Sequence, residues 1–308
     1  MKPCSFTGVG SLPHRSPKSA VSHVFKHYEI PFLPQLPNGG MEKGMRYADF
    51  SCHGKKTNLD LQRKVDDFFS YASLDDFLNE YDRQKVLKIQ MIGPYTVGRL
   101  LLCRDRLTVI DHKDIHPHFL QIYIKKAVEF LSLFEAKNKM WIIFDEPFLN
   151  ELSAGEIFSG LDRIILKIEK KVDGSKFLFG LHSCNRWTPS LFSQFYDTRL
   201  RLMSFDVELG GNAIFENRQK LFEYLKKGFL LWGIVPTQKI YRTMKGDYFL
   251  RYLQTKNLQK KEVLNILSRS HFTPACGTAT LRLKDEQTIA RRLREISVET
   301  RRYYERGS

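Results

Sequence analysis

Phe177-Leu178-Phe179-Gly180-Leu181-His182-Ser183-Cys184 is an apolar run closed by two side chains that can bind metals. Such a run reads as a buried strand. Strand side chains alternate between faces, so His182 and Cys184 lie on the same side, two residues apart. One imidazole and one thiolate so placed can reach a single zinc ion. A packed cysteine beside a hydrogen-bonded histidine would give the same pattern, so the surrounding chain has to decide.

The run itself spans 176–181, and seven more β-type runs lie at 6–10, 30–36, 86–92, 140–144, 202–207, 229–235 and 271–275. Pro31 and Pro34 make the second of the eight irregular, because proline cannot donate to a ladder. Apolar residues at helical spacing fill the intervals at 16–28, 119–134, 153–168, 189–195, 214–225 and 285–304. Strands alternating with helices predict an α/β fold with a parallel sheet. Eight repeats in 308 residues predict one closed (β/α)8 TIM barrel, a single domain over 1–308. A doubly wound open sheet is the alternative, and no Gly-x-Gly-x-x-Gly turn supports it. Residues 38–82 break the repeat. They are polar and Gly-containing to Asn58, with a helix resuming near Leu59, and read as an inserted loop over the barrel mouth, useful as a lid.

Composition narrows the classes. A hydrophobic fraction of 42% is enough for a full core. No apolar run reaches the ~18–20 residues of a membrane span. The N-terminus has no apolar h-region, so no signal peptide is expected. Cys4, Cys52, Cys103, Cys184 and Cys276 are odd in number and widely scattered, which argues against a disulfide framework and for a reducing cytoplasm. The net charge of +15 raises nucleic acid as a partner. The basic residues are nevertheless spread along the chain, and the densest group, Arg291 to Arg302, alternates with apolar residues like a solvated helix face. Nucleic acid is therefore not the expected partner. Small polyanions and an acidic partner protein would also be drawn to such a surface.

In barrels of this kind active sites sit at the C-terminal ends of the strands. The chemically notable residues fall there: Gly10 and Ser11 after the first run, Gly93-Pro94-Tyr95-Thr96 after the third, Asp145-Glu146-Pro147 after the fourth. His182 and Cys184 follow the fifth, Asp206 and Glu208 the sixth, and Cys276 the eighth. Two thiolates, one imidazole and one carboxylate make four ligands of types zinc accepts. Alternation puts Asp206 and Glu208 on one face, so either acid can complete the set. Zinc held by thiolates can bind a substrate thiol and stabilise it as thiolate, activating it as a nucleophile. His112, His116 and His118 share a polar loop and helix start and read as solvated. His14 follows the first run, close enough to line the mouth, but the plain structural reading is preferred for it too. Cys52-His53 reads as incidental and Cys103 as packed on a helix.

The ordered series Val9-Gly10-Ser11-Leu12-Pro13, Gly93-Pro94-Tyr95-Thr96, Asp145-Glu146-Pro147-Phe148-Leu149-Asn150-Glu151, His182-Ser183-Cys184 and Pro274-Ala275-Cys276-Gly277 resembles the catalytic domain of cobalamin-independent methionine synthase. That family lies within the broader uroporphyrinogen decarboxylase and methionine synthase-like superfamily, and the resemblance covers most of the chain. It implies a zinc-dependent methyltransferase acting on homocysteine. By resemblance Asp145 and Glu151 hold the substrate ammonium, and Gly10 and Ser11 lie by its carboxylate. His182, Cys184, Cys276 and one acid from Asp206 or Glu208 then bind zinc.

Two departures bear on the methyl donor. The folate-dependent members have a proton-donating His after strand seven, and Trp232-Gly233-Ile234-Val235-Pro236-Thr237 contains none. They also carry a second, N-terminal half not present in these 308 residues. A methylcorrinoid, delivered by a corrinoid carrier protein, is thus the expected donor, with methyltetrahydrofolate as the other candidate. Two further readings stand beside this one: a metal-free decarboxylase of the porphyrinogen type, which should show more arginines at the strand ends, and a non-catalytic barrel that binds an acidic partner.

Overall fold

The computed structural model describes residues 2–36, 56–80, 86–103, 105–134, 139–150, 154–238 and 244–307. Six of the apolar runs form ladder strands: β1 (Leu87–Ile92), β2 (Met140–Asp145), β3 (Phe177–Ser183), β4 (Leu202–Asp206), β5 (Phe229–Val235) and β6 (Ser270–Pro274). They pair in chain order, and every neighbouring pair is parallel. This is the arrangement that strand–helix–strand crossovers produce.

The strands are apolar on both faces because each face has its own core. In β2, Met140, Ile142 and Phe144 join the large cluster between sheet and helices. Trp141 and Ile143 point the other way and pack with Ile30, Leu202 and Leu231 inside the curl of the sheet. The polar residues Lys88, Gln90, His182 and Ser204 are also buried.

The closed eight-stranded barrel is corrected to a six-stranded parallel sheet curled into a half-barrel. The first two runs do not become ladder strands. They cross between β6 and β1 through single bridges: Phe6 to Phe272, Ser11 to Gln35, and Phe32 to Lys88. Backbone hydrogen bonds support these crossings, among them Thr7 N to Phe272 O (2.9 Å), Gln35 N to Gly10 O (3.0 Å) and Lys88 N to Pro31 O (2.9 Å). The cause is local. Pro31 and Pro34 have no N–H to give. At Gly8 the Phe32 ring comes so close that a Cβ would lie 2.3 Å from it, an approach only glycine permits.

The helices follow the sequence pattern closely. Pro17–His27 starts behind Ser16, whose side chain accepts from Ser19 N. The run at 214–225 splits into a short 3-10 turn, Ala213–Phe215, and a helix, Arg218–Leu225. The insertion is also corrected in part. Lys56–Phe68 and Leu74–Glu80 are helices, packed on His116–Ser132 and Pro17–His27 respectively, so this part lies on the outside of the sheet. The remainder of the expected lid, residues 38–55, lies outside the described residues, as does the pair Cys52-His53. Cys103 is buried and disulfide-bonded, which corrects its reading as a merely packed thiol. No helix among the described residues is long and apolar enough to cross a membrane.

His271 sits in β6 with its ring edge-on to Trp141 (centroids 4.9 Å apart) and tilted against Phe229 (5.6 Å). Burial drives its pKa from 6.5 down to about 3. The unfolded chain therefore binds a proton there that the folded chain refuses, between about pH 6.5 and 3. Stability is lost as pH falls through that window, at up to roughly 1 kcal/mol per pH unit. Urea denaturation at pH 7, 5.5 and 4 should show the wild type losing more stability on acidification than His271→Phe. Parallel curves for the two proteins would refute this.

Candidate functional site

β3 ends beside the end of β2 on one side and within β4 on the other. Asp145 is the register partner of His182, and His182 that of Ser204. His182 is 1% exposed. Its Nδ1 lies 2.8 Å from Ser204 Oγ, which fixes the ring orientation, while Nε2 is buried without a hydrogen-bond partner. A ring nitrogen pinned on one side and unpartnered on the other is the arrangement of a metal-ligating histidine.

Cys184 follows β3 and Cys276 follows β6, and both are free, half-buried thiols. The two thiols lie close enough to set each other's protonation. Cys276, with burial adding to the effect, holds the Cys184 proton on. Cys184 and His182 together hold Cys276 toward its thiolate against burial. Burial raises the Asp145 pKa, and Cys276 adds to this, while His182, the Gln90 amide and Lys88 oppose it. His182, Cys184, Cys276 and Asp145 thus form one electrostatic group.

The two acids after β4 part company. The strand ends at Asp206 and a short helix, Val207–Gly210, begins at once. Alternation therefore stops before Glu208, which corrects the expectation that both acids share a face. Asp206 is half-buried, its pKa is raised by burial, and it senses Cys276. Its Oδ1 accepts from Glu208 N at 2.8 Å, capping the short helix. Glu208 is exposed and lines a separate cavity of about 560 Å³ with Pro236, Met244, Lys245, Tyr248 and Arg251.

Gly10 and Ser11 lie against the same group. A Cβ at Gly10 would stand 2.9 Å from Gln35 Oε1 and 3.1 Å from Gln90 Cβ. Ser11 Oγ would be 2.0 Å from a Cβ on Gly277, the residue after Cys276, and Ser11 O accepts from Thr278 N and Oγ1. Glu151 lies outside the described residues. His14 is buried with its ring tilted against that of His23, which is tilted against His27, the ring centroids 4.8 and 4.6 Å apart. His112 stands 3.5 Å from Asp105, while His116 is half-buried and His118 partly exposed.

Three supporting residues escape a motif reading. Lys88 is 1% exposed. Its ammonium donates to Gly8 O (3.0 Å), to Val9 O and to Gln90 Oε1 (2.7 Å). Burial pushes its pKa down to about 7 against the pull of Asp145. Gln90 in turn receives Gln35 Nε2 (2.9 Å) and Tyr71 OH (3.1 Å) on its carbonyl. Glu146, also 1% exposed, accepts from Tyr95 N, Thr96 N and Thr96 Oγ1 at 2.6–3.0 Å, and so ties the loop after β2 to the helix Pro94–Leu100. Burial still raises it to about 8. The available signal was parity: Lys88 and Gln90 are polar residues two apart in a strand otherwise apolar, hence on one face.

Among the described residues, no three His, Cys, Asp or Glu side chains stand close enough together to hold a metal ion as they are placed here. The residue types are ones zinc accepts: two free thiols that act on each other's protonation, and an imidazole that acts on one of them.

No protein-family model matches the sequence, and no curated protein matches it. Solved structures do. The chain is similar to a B12-independent methionine synthase from Shewanella sp. W3-18-1 in complex with selenomethionine, at 13% identity and a TM-score of 0.59, covering 98% of each chain. It is also similar to a putative vitamin-B12-independent methionine synthase from Listeria monocytogenes, at 12% identity and a TM-score of 0.55, again covering 98% of each. At such identities the likeness is one of fold.

Proposed function

We propose that this protein is a zinc-dependent thiol methyltransferase whose acceptor is homocysteine. The observation that carries the reading is that Cys184 and Cys276, from two distant strand ends, act on each other's protonation and that His182 acts on Cys276. The methionine synthase-like fold supports it. His182, Cys184 and Cys276 would hold the metal, with Asp206 as the acid nearer to them. Bound zinc supplies Lewis acidity that keeps a substrate thiol ionised near neutral pH.

The chain's own residues supply the rest. Asp145 anchors the substrate ammonium, an interaction that favours the carboxylate which burial alone disfavours. Glu151 is the second anchor in this reading. The backbone at Gly10 and Ser11 receives the substrate carboxylate, and the bare Cα of Gly277 leaves room for Ser11 there. Methyl transfer to the thiolate needs no acid at the acceptor. Demethylating a folate needs a proton at the leaving nitrogen. From Phe229 to Thr243 there is no histidine to give it, so a methylcorrinoid is the donor we favour.

Purified protein should bind about one zinc per chain. With homocysteine it should form methionine from methylcobalamin and not from methyltetrahydrofolate, read by chromatography. Absence of zinc binding would reject the reading outright. Methionine from folate alone would reject the donor and leave the thiol site standing.

A further inference from the structure

The C-terminal helix, Leu283–Gly307, carries its cations in two different ways. Arg282, just before it, pairs with Asp285 (2.7 Å), Arg292 with Glu295 (2.5 Å), Arg301 with Glu29 (2.5 Å) and Arg302 with Glu299 (3.5 Å). Lys284, Arg291 and Arg294 form no ion pair with any described residue. They sit at i, i+7 and i+10, on one face, with Gln287 and Thr288 between them. That face lines a cavity of about 560 Å³ whose other wall is Lys26 and His27, from the last turn of the helix Pro17–His27. Lys26 is likewise without an ion pair to a described residue. Among the described residues, no carboxylate lines this cavity.

Four cations held around one small cavity repel one another, and exposed cations on a helix ordinarily find carboxylates within a turn, as their neighbours here do. Arg294 spends one N–H on His27 O (3.4 Å), which sets its side chain across the cavity. Two guanidinium forks, two ammonium groups and the Gln287 amide make a donor set with no acceptor charge, the Thr288 hydroxyl being spent on Lys284 O (2.8 Å). A second cavity of about 660 Å³ shares Lys284, Thr288 and Arg291, but its further cations, Arg282 and Arg292, are paired with Asp285 and Glu295, so the unpaired charge is concentrated in the first.

The geometry points to a binding site for a small polyphosphorylated anion between the helices Pro17–His27 and Leu283–Gly307, with Lys26, Lys284, Arg291 and Arg294 as the ligating cations. Planar guanidinium forks match phosphoryl oxygens bidentately, and an open pocket of about 560 Å³ accommodates a small molecule. The site is separate from the thiols and does not depend on the reaction proposed above.

Isothermal titration of the full chain with inorganic tripolyphosphate tests it. One saturable site per chain is expected, weakening as salt rises, with inorganic phosphate binding at least about tenfold more weakly. Arg291→Glu and the milder Arg291→Gln should each weaken tripolyphosphate about tenfold or more. Arg302→Glu, an equal charge change on an ion-paired position of the same helix, should not. Tripolyphosphate should also raise the thermal midpoint of the wild type and not that of Arg291→Glu. Equal weakening by Arg291→Glu and Arg302→Glu would overturn the site in favour of diffuse charge. Non-saturable binding, or equal affinity for phosphate and tripolyphosphate, would overturn it as well.

Discussion

Replacing Lys88 by alanine is expected to destabilise the protein by about 3–5 kcal/mol, the cost of removing one partner from a buried charged network. The ammonium serves three acceptors at once, Gly8 O, Val9 O and Gln90 Oε1, and no water reaches the site to replace it. Each orphaned acceptor forfeits about 1–3 kcal/mol, and the emptied stem adds a cavity. Lys88→Met keeps the volume and loses only the donors, so it should be intermediate. The first loop should also loosen, because its carbonyls at Gly8 and Val9 are what the ammonium holds. Urea midpoints of the three proteins decide the matter. A loss below about 1 kcal/mol in Lys88→Ala would show that the network is not structural.

Cys276→Ser should abolish zinc retention and homocysteine methylation together. Losing a supporting partner of a metal ligand costs roughly 10–100-fold in affinity, and losing the ligand should exceed that. Serine keeps the size of the side chain and removes the soft donor. Cys4 provides the matched comparison. It is a free buried thiol, 0% exposed, bonded to Leu267 O at 3.4 Å and pushed up to about 12 by burial. Cys4→Ser should leave zinc content and turnover unchanged. Zinc retained in full by Cys276→Ser would remove that residue from the ligand set.

The strands were legible because burial on both faces demands continuous apolar runs, and Met140–Asp145 or Phe229–Val235 can hardly be anything else. The end-of-strand placement of His182, Cys184 and Cys276 was legible for the same reason. What escaped depends on neighbours distant in sequence. Residues 6–10 and 30–36 read as strands by composition, yet Pro31, Pro34 and the Gly8–Phe32 contact keep them from forming ladders. Asp206 and Glu208 looked equivalent until a helix began between them. Lys88 was invisible as a functional residue because its partners are backbone carbonyls, which no side-chain motif records.

The crossing between β6 and β1 also bears on how the chain is made. The first segment is held from the far end of the sequence: Cys4 N donates to Ser270 O, Ser297 Oγ to Cys4 O, and Arg301 Nε to Pro3 O. None of these partners exists until residues 270–301 have been made. Cys4 and Pro3 therefore wait for partners as far as 293 and 298 positions away, and closing that long loop comes late. Until then the growing chain presents the exposed edges of β1 and its neighbours, the surfaces on which a nascent protein is most exposed to mispairing.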